Sequence, residues 1–385
     1  MPQATQLPRC PLFHKCGGCQ LQNMTYEEQL RYKQGKINAL LGRFCRLQPI
    51  IGMEHPYHYR NKVQAAFALT RQREVISGVY QSGSHRIVKV DSCQIEDEIA
   101  DRIVVDIRRM LPDFQILPYQ EDSRKGLLRH VLIRRGFQSG QVMVVLITSN
   151  PVFPMKKKFV SALLQKHPEI STVVLNINPY KTSLLLGERE EVLYGNGYIE
   201  DTLCGSVFRI SPKSFYQINP TQTERLYSIA IESAKLTGKE TVLDAYCGIG
   251  TIGIIAAKTA GEVMGVELNG DAVKDARVNA KRNGLKNIGF IKADAGKYMV
   301  DLANEGHAVD VVFMDPPRAG SDEPFLQSVI ALSPKKVVYI SCNPETQARD
   351  LKSLIKGGYH VTKIQPVDMF PHTKHIECVC VLERK

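Results

Sequence analysis

From about residue 240 to its end, this 385-residue chain reads as an α/β domain with a doubly wound, mostly parallel sheet. The part before it reads as mostly β (α+β). Three observations predict the α/β half. Short apolar runs alternate with longer amphipathic ones, the pattern of strands joined by crossover helices. A glycine loop, CGIGTIG at 247–253, follows the first of these runs. Five successive runs then end in polar or reactive side chains, and in such a sheet ligands bind outside the carboxyl ends of the strands.

Residues 241–246 form the first expected strand, which ends in Tyr246, and the loop after it opens a helix running to about 260. Gly248, Gly250 and Gly253 have G-x-G-x-x-G spacing, with Thr251 among them, and allow close backbone approach to a ligand. The second strand, 262–267, ends in Glu267, placed to accept hydrogen bonds from ribose hydroxyls, and a helix follows over 272–283. The third, 288–294, ends in Asp294; the fourth, 309–315, in Asp315; the fifth, 336–341, in Ser341 with Cys342 behind it. Residues 359–364 and 376–383 supply two more, joined by a loop with no helical pattern, so the last strand is expected to run antiparallel. The glycine loop and Glu267 fit either NAD or S-adenosyl-L-methionine. A dehydrogenase would leave the turn Ser341-Cys-Asn-Pro344, which brings a thiol to the rim, without a purpose.

In the first half, 22–44 reads as an amphipathic helix with a Thr N-cap signal. Alternating runs at 62–67, 75–80, 127–135, 141–148 and 172–176 read as strands, and 96–111 and 155–166 as helices. These features divide the chain into 1–205 and 206–385, with the helix at 22–44 a candidate to pack on the second part. Neither repeats nor low-complexity segments interrupt it. Cys10, Cys16 and Cys19 fall within ten residues, and Cys93 is a candidate fourth thiol. Four thiolates hold zinc or an iron–sulfur cluster, and spacing does not separate the two.

At 43% hydrophobic and 23% charged, the composition is that of a globular protein. The longest apolar run, 142–147, is far short of the roughly 20 residues that span a bilayer. With no secretory h-region at the N-terminus, a cytoplasmic location without membrane contact is expected. Thiols stay reduced there, so ten cysteines point to metal binding or catalysis rather than to disulfides. A formal charge of +11 favours a polyanionic partner. Arg60, Lys62, Arg71, Arg73, His85, Arg86, Lys89 and the run Arg124, Lys125, Arg129, His130, Arg134, Arg135 are candidates for an RNA face.

DAYCGIGT (244–251), DPPRAG (315–320), SCNPETQARDL (341–351) and MFPHTKHIE (369–377) together resemble the RNA uracil-5-methyltransferase family. The likeness extends to FRISPKSFYQINPTQTERLY (208–227), YRNKVQ (59–64) and the N-terminal cysteines. It implies a Rossmann-like, seven-stranded fold dependent on S-adenosyl-L-methionine, with Gln217, Tyr246, Gly248, Gly250, Thr251, Glu267, Asp294 and Asp315 toward the cofactor. It also implies Cys342 as nucleophile and Glu377 as proton acceptor. Arg318, His372 and His375 are lesser candidates. Cys10, Cys16, Cys19 and Cys93 match the [4Fe–4S] ligands of the members that act on 23S rRNA. The cysteine cluster begins at residue 10, which implies a member without the small N-terminal β-barrel (TRAM) module. The expected substrate is therefore an unpaired loop uridine of 23S rRNA, and the expected state a monomer.

The chemistry explains why such residues are needed. C5 of uracil is too weak a nucleophile to attack a sulfonium methyl. A thiolate adding to C6 generates an enolate, C5 takes the methyl, and a base removes the C5 proton so that the thiolate can leave. The thiol is therefore expected to have a lowered pKa. Cytosine-5 RNA methyltransferases carry a cysteine where this chain has Asp315-Pro-Pro-Arg318, and exocyclic-amine methyltransferases need no cysteine. Two alternatives stay open: a tRNA uracil-5-methyltransferase, and a catalytically silent RNA-binding iron–sulfur protein.

Overall fold

The computed structural model describes residues 10–81, 83–84 and 86–385. The chain forms two compact units: one holds the residues up to Asn23, His55–Thr202 and Ile210–Lys213, the other Met24–Glu54, Leu203–Arg209 and Ser214–Lys385. Residues 24–54, which include the helix expected as a candidate to pack on the second part, fall in the second unit.

In chain order the elements begin with α1 (Phe13–Cys16) and α2 (Tyr26–Leu41). The first unit continues with β1 (Lys62–Leu69), β2 (Val75–Tyr80), β3 (Ile87–Lys89), α3 (Glu98–Met110), β4 (Leu128–Arg135), β5 (Val142–Thr148), α4 (Lys156–Lys166), β6 (Ile170–Ile177) and β7 (Arg189–Tyr194). These strands make one sheet in the order β3-β2-β1-β4-β5-β6-β7, antiparallel throughout except for the parallel pair β5–β6. Val63, Ala65 and Phe67 alternate along β1 onto the face that α3 and α4 cover with Ile103, Ile107, Phe159 and Leu163. A short two-stranded sheet, β8 (Ile199–Leu203) and β9 (Ser206–Ile210), follows.

The second unit adds α5 (Pro220–Ala234), β10 (Thr241–Ala245), α6 (Thr251–Ala256), β11 (Glu262–Glu267), α7 (Gly270–Arg282), β12 (Ile288–Lys292) and α8 (Ala295–Asn304). It ends with β13 (Val311–Met314), α9 (Glu323–Leu332), β14 (Lys336–Ser341), α10 (Pro344–Lys356), β15 (Tyr359–Val367) and β16 (Glu377–Arg384). The strand order is β12-β11-β10-β13-β14-β16-β15, with β16 antiparallel to both of its neighbours as the sequence implies. Helix α6 is shorter than the expected run to 260, because Lys258 and Thr259 make i→i−3 bonds that tighten its end. Helix α2 is shorter than 22–44. A capping box starts it: Glu28 donates its backbone N–H to Thr25 Oγ1 (3.2 Å), and Thr25 N–H donates to the Glu28 carboxylate (2.8 Å). Its Ile37 and Leu41 enter the core built from Val337, Tyr339, Tyr359 and Ile364. Among the described residues no helix is long and apolar enough to cross a membrane.

Candidate active site

The glycine loop is shaped by what surrounds it. Gly253 donates its N–H to Asp244 Oδ2 (2.7 Å), and a Cβ at that position would stand 2.9 Å from the same oxygen. Gly250 has φ +84°, and a Cβ there would meet the Phe290 ring at 2.8 Å. Glu267 is held by both oxygens: Oε2 accepts from Gly248 N–H (3.1 Å) and Oε1 from Asn269 N–H (2.8 Å). Its carboxylate is thus fixed at the end of β11, beside the loop. Asp294 caps α8, accepting from Lys297 N–H at 2.9 Å, which already accounts for an aspartate there. Tyr246 takes a left-handed backbone, φ 64°, and lies against Phe325 with ring centroids 4.9 Å apart.

Gln217 is buried in the segment before α5. On α5, Tyr227 is also buried, and its phenol bonds Thr251 and Gln217 in the neighbourhood of Asp315 and Glu377. Sequence reasoning missed this tyrosine. In a helical apolar stripe it reads as core, and it is core; only its hydroxyl reveals a second task.

The thiol is placed by the turn after β14. Asn343 caps α10 by accepting from Glu345 N–H (3.1 Å), and Pro344 occupies its first turn. The Asn343 amide donates to the Arg318 carbonyl (3.1 Å), which ties this turn to the Asp315-Pro-Pro-Arg318 loop. Ser341 pairs with Cys378 across β14 and β16, so one step further Cys342 stands level with Glu377. On the other side of β14, Met314 pairs with Tyr339, which brings Asp315 level with Ile340. The two strands that flank or contain the thiol's turn therefore each deliver a carboxyl group beside it.

Electrostatics departs from expectation here. The Cys342 thiol is pushed up to about 11, first by burial and then by the carboxylates of Glu377 and Asp315, with Arg318 opposing. A lowered thiol pKa is not what this arrangement produces. Glu377 and Asp315 are themselves raised, by burial and, for Glu377, by the neighbouring Asp315 charge. Among the described residues Glu377 Oε2 is buried with no hydrogen-bond partner. An orphaned carboxyl oxygen is costly, so this site holds a proton or awaits a ligand.

The loop leading into Glu377 is anchored from α2. Lys33 donates to Asp368 (2.5 Å) and to the Phe370 carbonyl (3.0 Å), and both charged side chains are fully buried. Gln29 Oε1 accepts from His372 N–H (3.0 Å), and its amide lies 3.2 Å from the same residue's Nδ1. His372 is a structural hydrogen-bonding residue here. His375 is kept below the ordinary range by burial and by the cations around it, Arg318 foremost.

In the first unit Cys10, Cys16, Cys19 and Cys93 line one cavity of about 330 Å³, together with Arg60 and Glu96. Gly18 N–H donates to Cys16 Sγ (3.4 Å) and the Gln22 amide to Cys19 Sγ (3.5 Å). Burial drives Cys19 up to about 12 and raises Cys93 as well. Among the described residues no three His, Cys, Asp or Glu side chains converge closely enough to hold a metal ion. The expected thiol set therefore shares a cavity without closing on a single-ion centre.

The expected basic face is corrected in part. Arg129 is buried, donating to the carbonyls of Asn178 and Tyr180 at 2.7 Å and to Glu121 at 2.7 Å. Arg134 is buried and bonds the Pro212 carbonyl, and Arg135 pairs with Asp97. Arg71, Arg73, Arg86, Arg124 and Lys125 are exposed, while His85 lies outside the described residues.

Comparison with known proteins gives this geometry a context. Residues 25–385 match the family model described as tRNA (uracil-5-)-methyltransferase. A Halalkalibacterium halodurans protein named an uncharacterised RNA methyltransferase is 45% identical over 389 residues, covering 100% of this chain and 84% of its own length. A protein of the same description from Clostridium acetobutylicum is 44% identical over 384 residues, covering 98% of this chain and 83% of its own. The crystal structure of Pyrococcus abyssi tRNA (uracil-54, C5)-methyltransferase with S-adenosyl-L-homocysteine is similar at a TM-score of 0.80 and 28% identity, covering 95% of this chain and 85% of that one.

Proposed function

This chain belongs to the tRNA (uracil-5-)-methyltransferase family of S-adenosyl-L-methionine-dependent RNA methyltransferases, and on that premise we propose that it methylates C5 of an unpaired uridine in 23S rRNA. The observation that carries the reading is the pairing register that sets Cys342 opposite Glu377, whose Oε2 is buried without a partner. Cys342 Sγ bonds to C6 of the ring and electron density moves to C5, which takes the methyl group from the sulfonium. Glu377 then removes the C5 proton and the C6–S bond breaks, restoring the thiolate and the C5=C6 double bond. To enter the cycle the resting thiol must lose its proton in a field that disfavours the thiolate. The raised carboxyl pair answers this: one proton held on Asp315 lessens the negative charge that opposes the thiolate and leaves the Glu377 carboxylate free to accept the C5 proton.

Gln217, Tyr246, Gly248, Gly250, Thr251, Glu267 and Asp315 would hold the methyl donor. The fixed Glu267 carboxylate and the backbone exposed at Gly248, where a Cβ would meet open space, suit its ribose and amino-acid ends. Asp294 has the weakest claim, since its cap already explains it.

The three N-terminal thiols and Cys93 support the rRNA reading through a [4Fe–4S] cluster. A single zinc ion would draw four sulfurs to about 2.3 Å from one point. A roomy cavity flanked by N–H···S donors suits a bulkier cluster better. Its role would be to order this unit, and no step of the reaction passes through it.

A second reading, tRNA as substrate, draws on the Pyrococcus abyssi enzyme, which acts on tRNA uracil-54. One experiment tests both. Transcripts of 23S rRNA and of tRNA containing 5-fluorouridine are incubated with the protein and S-adenosyl-L-methionine, because fluorine at C5 blocks the final proton removal. A denaturation-resistant protein–RNA adduct is expected with rRNA and is expected to vanish in Cys342→Ala. An adduct confined to tRNA would overturn the rRNA assignment.

A further inference from the structure

Past its cap, helix α10 carries Thr346, Arg349 and Asp350, which the proposed reaction does not use. All three reach the loop that follows β13. The Arg318 carbonyl accepts from the Thr346 hydroxyl (3.4 Å) as well as from the Asn343 amide (3.1 Å). Arg349 Nη2 donates to the carbonyls of Ala319 (3.0 Å) and Ser321 (2.8 Å). Asp350 Oδ2 accepts from the Ser321 N–H (2.9 Å) and the Tyr339 hydroxyl (2.7 Å), while its Oδ1 accepts from Arg349 Nε (2.8 Å). Five side-chain bonds from the start of one helix thus converge on four consecutive residues, 318–321. A Cβ at Gly320 would stand 2.6 Å from Arg349 Nη2 and 2.8 Å from Asp350 Oδ2, so the loop lies directly on this pair. Asp350 is fully buried, and a buried carboxylate is tolerated only when paired and hydrogen-bonded. Joining a strand to a helix does not by itself call for such a carboxylate.

We propose that Arg349 and Asp350 are positioning residues, which clamp the 318–321 loop onto α10 so that the Arg318 guanidinium stays beside the Cys342 thiol as it attacks the pyrimidine. The proposal rests on the reading of Cys342 as nucleophile, and deepens it by naming what keeps a cation next to that sulfur. Arg318 is the group that opposes the two carboxylates at the thiol. Its side chain is exposed, so the backbone beneath it decides where the charge sits. Asp315 is held differently, directly after Met314 of β13, which pairs with Tyr339 on β14. Releasing the clamp therefore displaces Arg318 while the carboxylates keep their places. The planar fork of an arginine suits the task, since it meets two carbonyls and a carboxylate at once.

The test alkylates the full protein with anionic iodoacetate and, separately, with neutral iodoacetamide, and follows the peptide carrying Cys342 by mass spectrometry. Both reagents attack the same thiolate, so its ionisation and exposure cancel in the ratio of the two rates. A nearby cation favours the anionic reagent. Arg349→Met is expected to lower the iodoacetate-to-iodoacetamide ratio about threefold, as is Arg318→Met. In the Arg318→Met background, Arg349→Met is expected to lower it no further. Asp350→Asn keeps an acceptor for Ser321 and Tyr339 but loses the charge that holds Arg349, and is expected to move the ratio the same way. A side chain that only stabilised the fold would leave the ratio unchanged. Arg349→Met is also expected to slow formation of the 5-fluorouridine adduct about tenfold, with S-adenosyl-L-homocysteine affinity kept within about threefold.

An unchanged ratio in Arg349→Met overturns the clamp, and so does a further fall in the Arg318→Met background. A lowered ratio with undiminished adduct formation overturns its part in the attack. A wild-type protein that forms no adduct with any uridine RNA overturns the reading of Cys342 as nucleophile. A wild type that does form it, matched in both rate and ratio by Arg349→Met, sinks the clamp alone.

Discussion

At the scale of single residues, the candidate site is a contest between a thiol and two carboxyl groups. Glu377 and Asp315 are held above the ordinary carboxyl range in the folded chain. Between an ordinary value near about 4 and those raised values the folded state binds more protons than the unfolded one, so stability falls as pH climbs through that window. Glu377→Gln removes one contributor. Its thermal midpoint should exceed that of the wild type by a few degrees above about pH 7 and converge with it below about pH 4, where both states are protonated. The same change should also quicken alkylation of Cys342 by iodoacetamide at about pH 8, since each unit by which the thiol pKa falls gives up to tenfold more thiolate. With ordinary uridine RNA, the variant should accumulate adduct instead of product. Slower alkylation would contradict the electrostatic account. The sequence revealed the types and rim positions of these residues because chemistry follows residue type. The raised thiol was not visible, since it depends on burial and on Glu377, far along the chain.

Elements carry the site through their ends. The cap of α2 was legible as a Thr N-cap signal because caps are local, whereas Asn343-Pro344 read only as a turn and proves to cap α10. The parallel order of the second sheet was legible from the alternation of strands and helices, and the reversed β16 from its missing crossover helix. What stayed hidden joins residues distant in sequence. Lys33 lies on a helix whose amphipathic pattern gave no sign of a buried lysine, yet it is buried against Asp368. Strand β7 is mostly exposed and carries a run of charges, so no apolar alternation announced it. Removing Lys33 tests how the element holds the loop before Glu377. Lys33→Ala should cost about 3–5 kcal/mol in urea-unfolding free energy, because it leaves a buried carboxylate without its partner. Replacing both members, Lys33→Met with Asp368→Leu, should recover most of that loss. If Lys33→Ala were as stable as the wild type, the ion pair would not be what fixes this loop.

At the scale of the whole molecule, the first unit brings together thiols that lie far apart in the chain. Cys10, Cys16 and Cys19 come before β1, and Cys93 comes after β3, yet all four line one cavity. A cluster bound there would join positions 19 and 93, closing a long loop whose freedom in the unfolded chain would otherwise oppose folding. Protein purified without oxygen should be brown and contain about four iron atoms per chain. Cys93→Ser should lose most of the iron and lower the unfolding midpoint of the first unit. Binding of S-adenosyl-L-homocysteine should survive, because the residues proposed to hold the methyl donor all belong to the second unit. Calorimetry on the intact chain reads both effects together. Stoichiometric zinc in place of iron would replace the cluster with a single-ion site and require the four sulfurs to close in from the cavity walls. Loss of cofactor binding along with iron would mean that the thiols serve the methyl donor's site and not the order of their own unit.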